Sequence, residues 1–183
     1  KGGLKFNEWQ VLDRAKSEVE NYQLHICDKG GLTINEICST AKNWHLKYGI
    51  QIIYIDYMQL ITNPDKQGKN GNREQEISSI SRRLKQLAKE LNVPVICLSQ
   101  LSRQCEARAD KRPMLSDLRE SGAIEQDADM VIFPYRDEYY NESAEKGLCE
   151  LIIAKNRNGK TGIVTAYFNG DCQLFTNSLQ SYD

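Results

Sequence analysis

Two polar residues stand where apolar runs end: Asp56 closes Ile50-Gln-Ile-Ile-Tyr-Ile55, and Gln100 closes Val93-Pro-Val-Ile-Cys-Leu-Ser99. At the carboxyl ends of neighbouring parallel strands ligands collect, so the pair describes a shared crevice. A carboxylate there can hold Mg2+ through water. A primary amide there can donate to a γ-phosphate oxygen and accept from water, which lets it report whether ATP or ADP is present. Taken alone, a strand-end Asp also caps turns and a Gln also bonds loop backbone, so neither residue decides the matter by itself.

Two further groups carry phosphate-directed chemistry. In Ser116-Asp-Leu-Arg-Glu-Ser-Gly122, Arg119 can pair with a phosphate, and the Gly122 amide can be approached closely because no side chain intrudes. Glu120 beside them is repelled by phosphate unless it orients Arg119 or accepts from a neighbouring subunit. An ordinary helix start with a solvated ion pair has the same residues. In Ala154-Lys-Asn-Arg-Asn-Gly159, Lys155 and Arg157 lie two apart on an extended segment and point the same way, which suits a two-pronged grip on one polyphosphate. A basic hairpin tip is the plainer alternative.

A formal net charge of −1 excludes an overall basic, histone-like binder, so any nucleic-acid contact must rest on local charge. Such a concentration exists. Between Lys66 and Lys85 six basic residues (Lys66, Lys69, Arg73, Arg82, Arg83, Lys85) face two acidic ones, Glu74 and Glu76. A solvated loop around Arg73 and a decorated helix face at Arg82 and Arg83 fit equally well. The six cysteines form no C-x-x-C pair and have no histidine at ligand spacing. Cys97 and Cys149 lie in strand-like runs, where free thiols behave as small hydrophobes, so a reducing cytoplasm is expected rather than a disulfide framework or a zinc site. No apolar run approaches the ~20 residues needed to cross a bilayer, and no signal-like segment is expected. His25 and His45 are isolated and read as structural or exposed.

The elements that must position these groups follow from periodicity. A helix starts at Asn7-Glu-Trp-Gln10, with Trp9, Leu12 and Val19 at mostly helical intervals, and Gln23–Cys27 reads as a short strand. Thr33-Ile-Asn-Glu36 is a capping box for a helix carrying Ile34, Ile37, Ala41 and Trp44 and ending near Gly49. Ile50–Ile55 has the β-branched continuity of a strand buried on both faces of a parallel sheet. The Asn, Gly and Lys content of 63–72 predicts a mobile loop. Ile77, Ile80, Leu84, Leu87 and Leu91 predict a helix over 73–91, and Val93–Leu98 a strand reached by a right-handed β-α-β crossover. Further strands are expected at Met130–Tyr135, Leu148–Ala154 and Gly162–Phe168. The alternation means α/β, one domain of mostly parallel sheet finished by an antiparallel edge pair across Asn156–Thr161.

Three stretches carry a resemblance: Ile55-Asp-Tyr-Met-Gln-Leu-Ile61, Leu98-Ser-Gln-Leu-Ser-Arg103 and Ser116–Asp129. Together they closely resemble the DnaB-type replicative DNA helicases, ring-shaped motors with a RecA-like core, from about the first helix to Phe175. The resemblance implies that Asp56 is the Walker B metal-holding carboxylate and Gln100 the γ-phosphate sensor linked to the DNA loop, with Arg103 orienting that loop. It assigns Arg119, Glu120 and Gly122 to the single-stranded DNA backbone, contacts that position without reading sequence. It places the 66–73 loop, with Arg73, as a second DNA-facing loop. It makes Arg157 an arginine finger and Lys155 its partner, reaching ATP held by the next subunit of a homo-hexamer. ATP and Mg2+, single-stranded DNA, a primase and a helicase loader are the implied ligands and partners.

One departure is plain. No Gly-x-x-x-x-Gly-Lys-Ser/Thr loop occurs in the 183 residues, and the segment where the family carries its catalytic glutamate is missing too. With a first residue that is not Met, this leads us to expect residues 1–183 to be the carboxyl-terminal part of a RecA-like motor domain, Walker B onward, inactive alone. Two alternatives remain: a non-catalytic DNA-binding or ring-assembly module of the same fold, and a related RecA-like recombinase or repair ATPase, against which Asp117–Asp129 speaks.

Overall fold

Five apolar residues at three- and four-residue steps make 73–91 the organising helix. In the computed structural model, which describes residues 3–63 and 73–177, it spans Arg73–Leu91 (α3, the third helix of the chain) and buries Ile77, Ile80, Leu84 and Leu87 almost completely. Each such side chain contributes roughly 1.5–3 kcal/mol when removed from water, so one face of α3 is a major stabilising surface. Glu74 and Glu76 in its first turn and Lys89 in its last complement the helix dipole. The expected loop at 63–72 falls, from 64 onward, outside the described residues.

Ahead of α3 lie two helices. Helix α1 (Phe6–Glu20) is capped at Lys5, with Glu8 returning to the cap amide, and it has no buried residue. Helix α2 (Ile34–Tyr48) starts at the Thr33–Glu36 capping box and ends at Gly49, whose φ of 65° is a left-handed conformation that glycine adopts without penalty. Ile34, Cys38 and Ala41 are its buried stripe, and Lys42 reaches Glu90 of α3 at 2.6 Å. The chain separates into two compact units, residues 1–30 and 31–183. The strand expected at Gln23–Cys27 does not form. Leu24 and Ile26 are exposed in irregular backbone, and among the described residues of that first unit there is no strand edge to pair with.

Within the second unit two sheets share one core with α2, α3 and α4 (Gly122–Asp127). Strands β1 (Ile53–Ile55) and β2 (Val95–Cys97) pair in parallel, Ile53 opposite Val95 and Ile55 opposite Cys97. Strands β3 (Met130–Tyr135), β4 (Leu148–Asn156), β5 (Gly162–Asn169) and β6 (Leu174–Thr176) form an antiparallel sheet in sequence order. At the turn into β4, Gly147 has φ 76° and a Cβ there would sit 3.2 Å from the Phe168 carbonyl oxygen.

The α/β class holds, with α3 as the crossover between parallel strands, but its proportions differ from expectation. Among the described residues the parallel sheet is the β1–β2 pair, with one further parallel bridge between Thr33 and Thr62, and the antiparallel part is a four-stranded sheet rather than an edge hairpin. Nor is the β1 region buried on both faces. Ile53, Ile55 and Cys97 pack on the core, whereas Tyr54 is 68% exposed and Ile52, Ile96 and Leu98 are also exposed. Ile53, Ile55 and Cys97 thus face the core, and the alternate residues Tyr54 and Ile96 face outward.

Candidate nucleotide and nucleic-acid site

The carboxyl ends of β1 and β2 are held level by main chain: the Leu98 amide donates to the Ile55 carbonyl and the Met58 amide to the Leu98 carbonyl, both at 2.9 Å. Asp56 follows directly on β1 and Gln100 lies three residues beyond the end of β2, so both stand at the carboxyl end of the parallel pair. Both side chains are exposed. Among the described residues, no hydrogen bond or ion pair occupies the Asp56 carboxylate or the Gln100 side-chain amide. A carboxylate without a protein partner at a parallel strand end fits a divalent cation held through water, with phosphate oxygens as further ligands. No cluster of three His, Cys, Asp or Glu among the described residues could hold a metal unaided.

Gln100 also heads a cavity of about 570 Å3 whose lining includes Arg103, Lys111, Tyr135 and Arg136. Arg136 stacks on the Phe168 ring at 4.5 Å and Lys111 on Tyr140 at 4.6 Å. This aromatic and cationic wall went unremarked in the sequence, because its members are spread over some seventy positions. Arg103 lines the same cavity as Gln100.

Beyond Gln100 the backbone turns directly toward the Ser116–Gly122 tract. The Ser102 amide donates to the Asp117 carbonyl at 2.9 Å. Residues Leu115–Ser121 form a 3₁₀ segment that runs into α4 at Gly122. Buried Asp117 is the anchor: its two carboxylate oxygens take Arg108 Nη1 at 2.6 Å and Nη2 at 2.8 Å, and it also accepts from the Met114 amide at 2.9 Å. The Arg108 guanidinium holds the Asp117 carboxyl below the usual carboxylate range, against the opposing effect of burial. Gly122 is exposed and helical, and a Cβ built on it meets nothing within 4 Å, so the backbone there is open to approach. The side chains of Arg119 and Glu120 lie outside the described residues. Arg73, the other expected DNA contact, pairs with Glu76 and donates from Nη2 to the Gln59 carbonyl at 2.7 Å.

Lys155 and Arg157 do point the same way, and both are engaged. Lys155 Nζ donates to the Glu125 carbonyl and, at 3.3 Å, to that of Gln126; Arg157 Nη2 donates to the same Gln126 carbonyl at 2.5 Å. These are the last carbonyls of α4, the negative end of its dipole, where cations are favoured. The β3–β4 ladder sets this geometry, with Lys155 opposite Val131 and the Arg157 amide bonded to the Asp129 carbonyl at 2.9 Å. Lys85 of α3 pairs with the Asp129 carboxylate and holds it below its ordinary titration range.

Residues that the sequence reading missed are Gln59 and Arg108. Gln59 bonds Ser99 and Gln100, about forty positions away, and Arg108 binds Asp117 across nine. No local pattern marks either residue.

Comparison with known proteins identifies the family of the chain. The family described as DnaB-like helicase C terminal domain matches residues 1–177. The replicative DNA helicase DnaC of Bacillus subtilis is 46% identical over the whole chain, which spans 40% of that relative. The replicative DNA helicase DnaB of Buchnera aphidicola is 51% identical, again over all of this chain and 40% of its own length. Among solved structures, a DnaB-like replicative helicase, solved to describe its interactions with primase, superposes with a TM-score of 0.89 at 45% identity, covering 96% of this chain and 43% of that one. The chain thus spans about two fifths of the curated relatives it matches. With the family model matching residues 1–177 and relatives 46–51% identical over all of the chain, it belongs to the DnaB-like helicase C-terminal domain family.

Proposed function

We propose that this chain is the Walker B-onward part of a motor that couples ATP hydrolysis to movement along single-stranded DNA and duplex unwinding. One observation carries this most: the Ser102–Asp117 hydrogen bond, which joins the strand end bearing Gln100 to the segment bearing Arg119, Glu120 and Gly122. A displacement at the nucleotide side has a short covalent and hydrogen-bonded route to the DNA side.

Asp56 would hold Mg2+ and Gln100 would meet the γ-phosphate. The cation, when bound, neutralises charge on the phosphates during transfer, and the chain's residues otherwise position and polarise. Arg157 and Lys155 would reach ATP on the next subunit of a homo-hexamer. Arg119, Glu120 and Gly122 would contact the backbone of single-stranded DNA. Arg73 would contribute through donors that Glu76 and Gln59 leave unused. The family's primase and helicase loader are the natural protein partners, and one solved relative is described together with primase. No general base is assigned to this chain, and we expect it to be inactive without a phosphate-binding loop.

The test is made in the intact protein. Single-stranded DNA should stimulate ATP hydrolysis, and Gln100→Ala should lose that stimulation while still binding nucleotide. A protein that binds DNA and nucleotide but shows neither stimulated hydrolysis nor strand displacement is a non-catalytic ring module, and the motor reading falls.

A further inference from the structure

We propose that Gln59 is a positioning residue that couples the sensor end of β2 to the first turn of α3. It lies in the 3₁₀ turn Met58–Leu60, three residues after Asp56. Its side-chain oxygen accepts from the Gln100 amide at 3.1 Å, and its side-chain nitrogen donates to Ser99 Oγ at 3.1 Å and the Gln100 carbonyl at 3.4 Å. A primary amide here stands in for a strand rung. The main-chain ladder between the two strands ends at Leu98, and Gln59 supplies the next donor and acceptor with a side chain.

The other side of Gln59 faces α3. Its main-chain carbonyl accepts from Arg73 Nη2 at 2.7 Å, and Arg73 pairs with Glu76. Glu76 also accepts from the Asn63 amide at 2.9 Å. One residue thus grips both backbone polar groups of Gln100 and the first turn of the principal core helix. If a phosphate draws the Gln100 backbone, the strain passes through Gln59 to Arg73. Ordinary core packing does not require this, because the contacts are polar and lie at the partly exposed end of the sheet.

The inference rests on Gln100 sensing phosphate, as proposed above. In the intact protein, ATP hydrolysis is measured with and without oligothymidylate for wild type, Gln100→Ala, Gln59→Met, Arg73→Ala and the Gln59–Arg73 double variant. Gln59→Met should reduce the DNA-stimulated kcat by about tenfold, a coupling of ordinary size, with KM for ATP moving by less than about twofold. The double variant should lose little more than either single one, as members of one network do. Retention of wild-type stimulation by Gln59→Met, while Gln100→Ala loses it, overturns the inference and leaves the motor reading intact. Strictly additive losses overturn it as well. An unstimulated wild type removes both. If Gln59→Met fails to assemble, Ser99→Ala deletes one partner of the same amide: reduced stimulation supports the coupling, and full stimulation refutes it.

Discussion

The strand end and the tip of β4 both carry polar groups to which the proposed function assigns phosphate, yet they are built on opposite plans. At the strand end, main chain fixes the scaffold and the functional side chains of Asp56 and Gln100 carry no protein partner among the described residues. At the tip, the scaffold is also a strand ladder, but Lys155 and Arg157 already hold the terminal carbonyls of α4. The first arrangement can take a ligand without giving anything up. On the proposed reading the second would exchange carbonyl oxygens for phosphate oxygens, so its engagement would also release the end of the helix that starts at Gly122. Placement of a charged group, and not merely its presence, decides whether binding is a simple capture or an exchange.

The largest effect expected of this difference is at the tip. Arg157→Ala in the intact protein should lower hydrolysis by roughly 10³–10⁵ while leaving each subunit's own nucleotide site able to bind. Mixed with Asp56→Ala subunits, it should recover part of the activity, because strand end and tip would belong to different subunits. Hexamers demonstrably mixed but without recovery would place both groups in one subunit's site, and the proposed division of labour would fail.

At the strand end, the present chain alone should bind Mg·ATP weakly, since on the proposed reading Asp56 and Gln100 would meet only the far end of a triphosphate. Isothermal titration should show no site with a dissociation constant near 1 μM, a free energy of roughly −8 kcal/mol. A site that tight would mean that the strand end needs no phosphate loop.

Between strand end and tip lies the Arg108–Asp117 anchor. Asp117→Asn should lower unfolding stability by about 2 kcal/mol, the scale of charge-assisted hydrogen bonds with one partly exposed member. Because the Asp117 carboxyl is held below its ordinary value of 3.8, its contribution is complete above that value and is lost as pH falls through the lower folded one. Wild type and Asp117→Asn should therefore differ by a constant amount at pH values well above 3.8, and should converge only as the pH falls below 3.8 and through the lowered folded value. A difference that stays flat through that fall would show that the pair stabilises by shape alone.

The smallest effect concerns Arg119. Arg119→Ala in the intact protein should weaken single-stranded DNA binding about equally for unrelated oligonucleotides, and should flatten the log-affinity against log-salt plot by about 0.7. Glu120→Ala, which alters the same turn without removing a cation, should leave that slope unchanged. An Arg119→Ala slope equal to wild type, with normal ring assembly, would move the DNA contact to the 66–73 segment.

Much of this was readable along the chain. The Thr33–Glu36 box and Gly49 bracket α2, and the spacing from Ile77 to Leu91 places α3 with its observed ends. Met130–Tyr135 emerges with the expected ends because its alternate residues Val131, Phe133 and Tyr135 are the buried ones. The same kind of reading fails at Gln23–Cys27, where an apolar run is not a strand without an edge to join. It also underestimates the antiparallel sheet, since β6 at Leu174–Thr176 is short and takes its register from β5.

Local sequence determined the helices, most strands and the strand-end positions of Asp56 and Gln100, because caps, periodicity and strand-end polarity act over a few positions. Tertiary structure alone decided the links between them: Gln59 with Gln100, Ser102 with Asp117, and Lys155 and Arg157 with the end of α4. Those bonds join residues fifteen to forty-one positions apart. Hydrogen-bond partners at such distances are chosen by packing of α3 against two sheets, and packing leaves no periodic trace in the sequence.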